Sequence, residues 1–214
     1  NQELIELYKT IKRNPKEIWQ IYLTFPNTKD GYYQIRDQSL ENKSLTYRAA
    51  RTLFLNRTCF KGMWRHNSSG KFNVGYGGQS RRWVIDEKSL LEVSRRLKKA
   101  ELRVRDFEPI IDQADHGDFL FLDPPYIPGK LKFQNDHYQL NKFSYKDHVR
   151  LSHALQRATN RGIKWLMTTS SHPKITNLYE NFYITPFTMG TGKMPGLLTK
   201  DEVGEVLISN RRKN

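Results

Sequence analysis

The chain has 214 residues, enough to bury one sizeable core and too few for two unrelated large domains. Thirty-six Lys and Arg against 22 Asp and Glu give a formal charge of +14, with 37% hydrophobic and 12% aromatic residues. That balance excludes a disordered basic tail and points to a folded protein with a polyanionic partner, nucleic acid before membrane surface. No apolar run reaches the roughly 18 to 20 residues of a membrane span, and the N-terminus lacks a signal-peptide core. The one cysteine, Cys59, can form no intrachain disulfide and anchors no zinc alone, which fits a reducing, cytoplasmic setting.

Leu4, Ile5, Leu7, Tyr8 and Ile11 recur at helical spacing, and Pro15 stands where a second helix over 16–23 can begin. Residues 25–44 are polar and turn-rich and read as a loop. A helix is predicted over 45–57, with Ala49, Ala50, Leu53 and Phe54 on one side. The segment 61–80 is rich in Gly, Ser and Asn and broken by aromatics, and it reads as loops around a short hairpin turning at 68–70. Asp86 is placed to cap a helix running to about residue 99. Residues 102–107 alternate like a strand, and 109–113 form one short helical stretch.

The continuous apolar run Phe119-Leu120-Phe121-Leu122, between Gly117-Asp118 and Asp123-Pro124-Pro125, predicts a strand covered on both faces. Helix 144–161 carries Val149, Leu151, Leu155 and Ala158 and ends at Gly162. A strand over 163–168, a helix over 172–181 and a last strand over 203–209 complete the chain. The C-terminal half thus alternates strand and helix, predicting an α/β fold with a parallel or mixed sheet. Residues 26–82 do not alternate and read as an insertion.

Asp123-Pro124-Pro125-Tyr126 follows the best strand, where open α/β sheets place their ligands. Two prolines stiffen the backbone and supply no N–H, leaving carbonyls to accept hydrogen bonds. A carboxylate, a carbonyl and an aromatic face at one rigid point suit an exocyclic amine on a flat base. The Asp123 side chain and the Pro124 carbonyl can accept the two amine hydrogens while Tyr126 stacks on the ring. The amine lone pair is then aimed toward an electrophile.

From residue 42 to 85 there are nine Lys or Arg and no acid, where the average composition predicts about four or five acids. Lys43, Arg48, Arg51, Arg57, Lys61, Arg65, Lys71, Arg81 and Arg82 can neutralise phosphates, with an affinity that falls steeply with salt. The six histidines are scattered, and His148 and His153 stand five apart, off the one-face spacing of a helical metal pair, so no metal is expected.

The sequence resembles the Dam-type (D12 class) N6-adenine-specific DNA methyltransferases. The DPPY motif at 123–126 carries the resemblance, with the run from Arg48-Ala49-Ala50 to Leu55-Asn56-Arg57-Thr58-Cys59-Phe60 and then Gly62, Arg65, Asn67, Gly70 and Phe72-Asn73-Val74. Phe143-Ser144 and Glu205-Val206-Leu207-Ile208-Ser209-Asn210 follow in the family's order. The resemblance implies a Rossmann-like methyltransferase sheet with S-adenosylmethionine as methyl donor and double-stranded DNA as partner. It implies a flipped adenine gripped by Asp123, Pro124, Pro125 and Tyr126. Catalytic residues 1–25 and 83–214 would flank a target-recognition region over 26–82. There Arg57, Lys61, Arg65, Asn67, Lys71, Asn73, Arg81 and Arg82 would contact DNA. The Lys61 position would help fill the space left by the flipped base, and Arg65 would read a guanine edge. The family commonly has Asn at position 61 and Pro at position 75, so a GATC target does not carry over.

For the cofactor the resemblance implies Asp106 and Phe107, at the end of a third strand, and Asp123 beside the methyl group. The family's FxGxG loop and the acid on the cofactor ribose are not found. Gly75, Gly77 and Gly78 follow no buried strand and do not serve as that loop. Residue 1 is Asn, and the opening Asn1-Gln2-Glu3-Leu4-Ile5 matches a family segment just past the second strand. The expectation is therefore a fragment, or a half of a split enzyme, whose first strands come from a missing N-terminal segment or a complementary chain. Their absence would leave 119–122 on an open apolar edge. Two other readings stand beside the methyltransferase. One is an inactive DNA-binding remnant, and the other a methyltransferase for RNA or protein amides.

Overall fold

Short polar side chains start most of the early helices. Asn1 accepts from the Leu4 N–H and caps α1 (Gln2–Arg13), and Pro15 opens α2 (Pro15–Thr24) where its missing N–H costs nothing. Thr28, Ser44 and Asp86 each accept from the N–H three residues on, capping α3 (Lys29–Asp37), α4 (Leu45–Thr58) and α5 (Glu87–Leu97). The computed structural model describes residues 1–78, 86–125, 143–187 and 205–211. It divides into two units, Asn1–Val104 and Arg105–Asn214.

In the first unit α4 is the central helix, packed by α1, α2 and α3, while α5 packs on α1 and α2. Ala49, Ala50, Leu53, Phe54 and Leu55 of α4 are buried in one cluster with Leu7, Ile11, Ile18, Tyr22 and Leu90. The small alanines let neighbouring helices approach, and the large side chains fill the space between them. Helix α3 corrects the expected loop over 25–44. Its anchor is Tyr32, fully buried, whose hydroxyl donates to the Val74 carbonyl at 2.8 Å. Burial pushes the Tyr32 hydroxyl's pKa well above its usual value, so it stays a donor.

Arg51 is a second correction. It is buried, donating from Nε to the Ile35 carbonyl at 2.8 Å and from Nη2 to the Arg36 carbonyl at 2.6 Å. These are carbonyls at the end of α3, which a helix terminus leaves without partners of its own. Arg51 is thus a cap for α3 and is withdrawn from the phosphate-binding set.

The second unit begins with α6 (Phe107–Asp112), followed by β1 (Phe119–Leu122), α7 (Tyr145–Asn160), β2 (Lys164–Ser170), α8 (Pro173–Thr176), β3 (Tyr183–Phe187) and β4 (Glu205–Ser209). The strands form one mixed sheet in the order β1-β2-β4-β3, with β1 parallel to β2 and the other pairs antiparallel. Leu151, Ala154, Leu155 and Ala158 of α7 pack with Trp165, Met167, Val206 and Ile208 of the sheet. Asn210 ties this layer together: its Oδ1 accepts from the Trp165 N–H at 3.1 Å, and its Nδ2 donates to the Ile163 carbonyl at 2.7 Å.

Four expectations change here. Residues 102–107 form no strand. Val104 is 46% exposed, and among the described residues it takes part in no strand pairing. β1 is covered on one face only, with Phe119 and Phe121 60% and 63% exposed while Leu120 and Leu122 pack on the second core. The helix over 172–181 shortens to α8 and a 3₁₀ turn at Asn177–Tyr179. β3 is an added strand, tolerating Pro186 because it lies at the sheet edge. Among the described residues no helix is long and apolar enough to cross a membrane.

Arg51→Ala strands two part-buried carbonyls, so urea unfolding is expected to show a loss of about 1–2 kcal/mol. Unchanged stability with weakened DNA binding would instead restore Arg51 to the phosphate contacts.

Candidate active site and recognition segment

Asp123 is the first residue beyond β1, at the carboxyl end of the parallel pair β1/β2. Its side chain is exposed, while Pro124 is buried and Pro125 half-buried. The register pairs Leu122 with Met167, so the next residue of β2, Thr168, lies alongside Asp123. The Thr168 hydroxyl donates to Asp123 Oδ1 at 2.7 Å. Tyr126 lies outside the described residues, as do Arg81 and Arg82.

Helix α7 begins on a capping box, with Ser144 and Asp147 satisfying each other's orphan groups. One turn in, His148 is fully buried and meets the Phe143 ring edge-on at 4.7 Å. Neither of its ring nitrogens makes a well-formed hydrogen bond among the described residues, the Pro125 backbone offering only a weak contact. Burial holds His148 below its ordinary pKa, against the opposing pull of Asp147 and the Pro125 backbone. His148 therefore packs as a neutral ring near the proline turn.

The two residues expected to meet the cofactor adenine stand at the start of α6 rather than at a strand end. Asp106 caps the helix, with Oδ1 accepting from the Glu108 N–H at 3.0 Å, and Arg150 reaches the same oxygen at 2.9 Å. The Arg150 guanidinium lies over the Phe107 ring, 4.9 Å from its centroid. Arg150 and Arg157 of α7 also hold Glu108 of α6, and Arg157 holds Asp112. Hydrogen bonds from Arg157 and then Arg150 keep Glu108 below the usual carboxylate range, and Arg157 does the same for Asp112. Asp106 is exposed and Phe107 half-buried, an acceptor beside a flat apolar ring, but Arg150 already lies over one face of that ring and on Asp106 Oδ1, so the adenine of a nucleoside cofactor would take the other face and Oδ2.

The Gly-rich segment that follows α4 is pinned to the end of that helix. The Phe60 N–H donates to the Gly75 carbonyl and the Gly77 N–H to the Thr58 carbonyl, each at 2.8 Å. At Gly77 a Cβ would stand 2.4 Å from the Cys59 carbonyl oxygen, so this glycine lets two backbones touch, a structural role. Cys59 is buried, its thiol pushed up to about 11. Lys61 occupies a 3₁₀ turn at φ +54°, a left-handed conformation that favours Gly or Asn, and its side chain is exposed.

Beyond the turn, His66 and Phe72 form a two-residue bridge, and Trp64 packs on Phe72 at 4.5 Å. At the tip, Asn67 Oδ1 accepts from the N–H groups of Ser69 and Lys71, closing the turn expected at 68–70. At the base, Arg65 Nε donates to Asn73 Oδ1 at 2.9 Å. Lys71 is exposed, and Arg57 is half-buried. Thr168 and His148 are the residues near Asp123 that sequence reasoning missed. Thr168 is visible only once the β1/β2 register is known, because nothing local to 168 refers to 123.

Such a carboxylate-proline turn at the end of a parallel strand, in a chain with a basic hairpin, defines a nucleic-acid methyltransferase architecture. Residues 1–188 match the D12 class N6 adenine-specific DNA methyltransferases, and the chain belongs to that family. Similar proteins include the Type II methyltransferase M1.LlaDCHI of Lactococcus lactis subsp. cremoris, 29% identical over 98% of this chain and 77% of its own length. The Type II methyltransferase M.MjaIII of Methanocaldococcus jannaschii is 30% identical over 98% of this chain and 78% of its own. The DNA N-6-adenine-methyltransferase of Escherichia phage P1 is 36% identical over 85% of this chain and 24% of its own. Membership sets the chemistry: methyl transfer from S-adenosylmethionine to N6 of adenine in DNA.

Because His148 has a lowered pKa when folded, the unfolded chain binds the extra proton between that value and about 6.5. Its contribution is full above about pH 6.5 and is lost as pH falls through the window, by at most about 1.4 kcal/mol per pH unit. Urea unfolding between about pH 7.5 and 5 is expected to show a shallower loss in His148→Leu than in the wild type. Equal slopes would clear His148 as the cause.

Proposed function

We propose that the chain methylates an adenine swung out of duplex DNA, with Asp123, Pro124, Pro125 and Tyr126 receiving the base. The observation that carries this reading is the exposed Asp123 carboxylate at the carboxyl end of β1, on a backbone stiffened by two prolines. Free adenine N6 is a weak nucleophile because its lone pair is delocalised into the ring. Acceptors on both amine hydrogens, one from Asp123 and one from the Pro124 carbonyl, draw density onto nitrogen and fix its direction. Bound S-adenosylmethionine would supply an electrophilic methyl group. Asp106 and Phe107 would hold its adenine, with the Phe107 ring as a stacking surface and Asp106 as an acceptor. Most of the rate would come from holding the amine in line.

Site choice falls to the 26–82 region, with 1–25 and 83–214 as the catalytic part. By packing, however, α1, α2 and α5 belong with α3 and α4 in the first unit. Arg65 is the reader. With Nε held by Asn73, its two Nη groups can fork onto the O6 and N7 of guanine. Asn73 and Asn67 then act by shaping the hairpin, while Arg57, Lys61, Lys71, Arg81 and Arg82 supply phosphate or groove contacts. The outer edge of β1 would be paired, and the bared face with Phe119 and Phe121 packed, by elements of an N-terminal segment or a complementary chain. Calorimetry with S-adenosylmethionine is expected to give micromolar binding only when such a segment is supplied; micromolar binding by these residues alone would sink that part.

Asp123→Ala is expected to abolish methyl transfer to adenine-containing duplexes with DNA binding kept within a few-fold; full activity in this variant would overturn the site. Arg65→Ala is expected to relax sequence choice by about 1–3 kcal/mol at one base pair, read by comparing transfer rates on duplexes differing there. Uniform weakening across all sequences would make Arg65 a phosphate contact instead.

A further inference from the structure

We propose that Thr168 is a positioning residue for the base-binding carboxylate, holding Asp123 Oδ1 so that Oδ2 is offered to the adenine amine before the base arrives. The inference deepens the reading of Asp123 given above and rests on it. Its geometric basis is the hydrogen bond from Thr168 Oγ1 to Asp123 Oδ1 at 2.7 Å, a charge-assisted length.

The donor is more firmly held than the acceptor. Thr168 sits in β2, paired on one side with β1 and on the other with Leu207 of β4. The next residues along β2, Thr169 and Ser170, are fully buried. A β-branched side chain on such a strand has little freedom at χ1, so the hydroxyl direction follows from the backbone. Asp123, in contrast, is exposed just past the end of its strand, where a carboxylate ordinarily turns among rotamers. Residues level with each other on adjacent strands project to the same side of a sheet, which is why these two side chains meet. The central strand thereby lends its rigidity to a group on the sheet's rim. An acceptor already oriented needs no reorganisation when the amine binds, which is the condition for electrostatic positioning to raise a rate.

The test uses the chain supplied with the N-terminal segment invoked above, unmethylated plasmid DNA and radiolabelled S-adenosylmethionine, with methyl transfer measured under single-turnover conditions. Thr168→Val keeps the shape and removes the donor. It is expected to slow transfer at saturating DNA about tenfold or more, with KM for DNA within about twofold of wild type. Thr168→Ser, which restores the hydroxyl, is expected to recover most of the rate. Should the valine variant misfold in a thermal melt, Thr168→Ala beside Thr168→Ser makes the same comparison. A wild-type rate in the hydroxyl-free variant overturns the inference. So does a serine variant as slow as valine, or a change confined to KM, since these mark packing or binding instead. A wild type that binds S-adenosylmethionine with that segment supplied and still transfers no methyl group overturns the reading of Asp123 and this inference with it. An active wild type with an indifferent Thr168 overturns the inference alone.

Discussion

The parallel pairing of β1 with β2 is the constraint on which the site depends. Strand pairing is a long-range choice, joining residues 119–122 to 164–167 across a full helix. Once made, it decides which side chains share the rim of the sheet and on which side they stand. A slip of one residue would turn Thr168 to the opposite face and leave the Asp123 carboxylate without its donor. The placing of β2 is held from its β4 side. Met167 and Ile208, neighbours across the β2/β4 ladder, are fully buried, so slippage would carry apolar side chains out of the core.

Elements whose causes are local could be read from the chain alone. Helix α4 declared itself through Ala49, Ala50, Leu53 and Phe54, and α5 through the Asp86 cap. The apolar run at β1 named its strand to the residue. Failures came where a distant partner decides. Residues 102–107 alternate but take part in no strand pairing among the described residues, whereas β3 carries Pro186 and is a strand because β4 pairs with it. α3 was hidden by its polar composition, although Thr28 is a proper cap; its stabilising contacts come from Val74 and Arg51, far along the chain.

The site divides in the same way. That Asp123 and its prolines stand just past a strand end was legible from the apolar run before them. Arg65 and Asn73 were both singled out, but as separate DNA contacts; that they hydrogen-bond to each other was not legible. Arg51 shows the opposite error. In a run of basic residues it looks like its neighbours, and only burial separates a helix cap from a phosphate contact.

Cys59 has a practical consequence beyond its place in the core. The chain has one thiol, buried beneath the recognition turn and pushed up to about 11, so at neutral pH almost none of it is thiolate. Alkylating dyes would leave it untouched. A cysteine introduced at Ser69, exposed at the tip of the hairpin, would then be the chain's sole reactive thiol. The protein is thereby suited to carry a single fluorophore where DNA is expected to be read, with no background residue to remove.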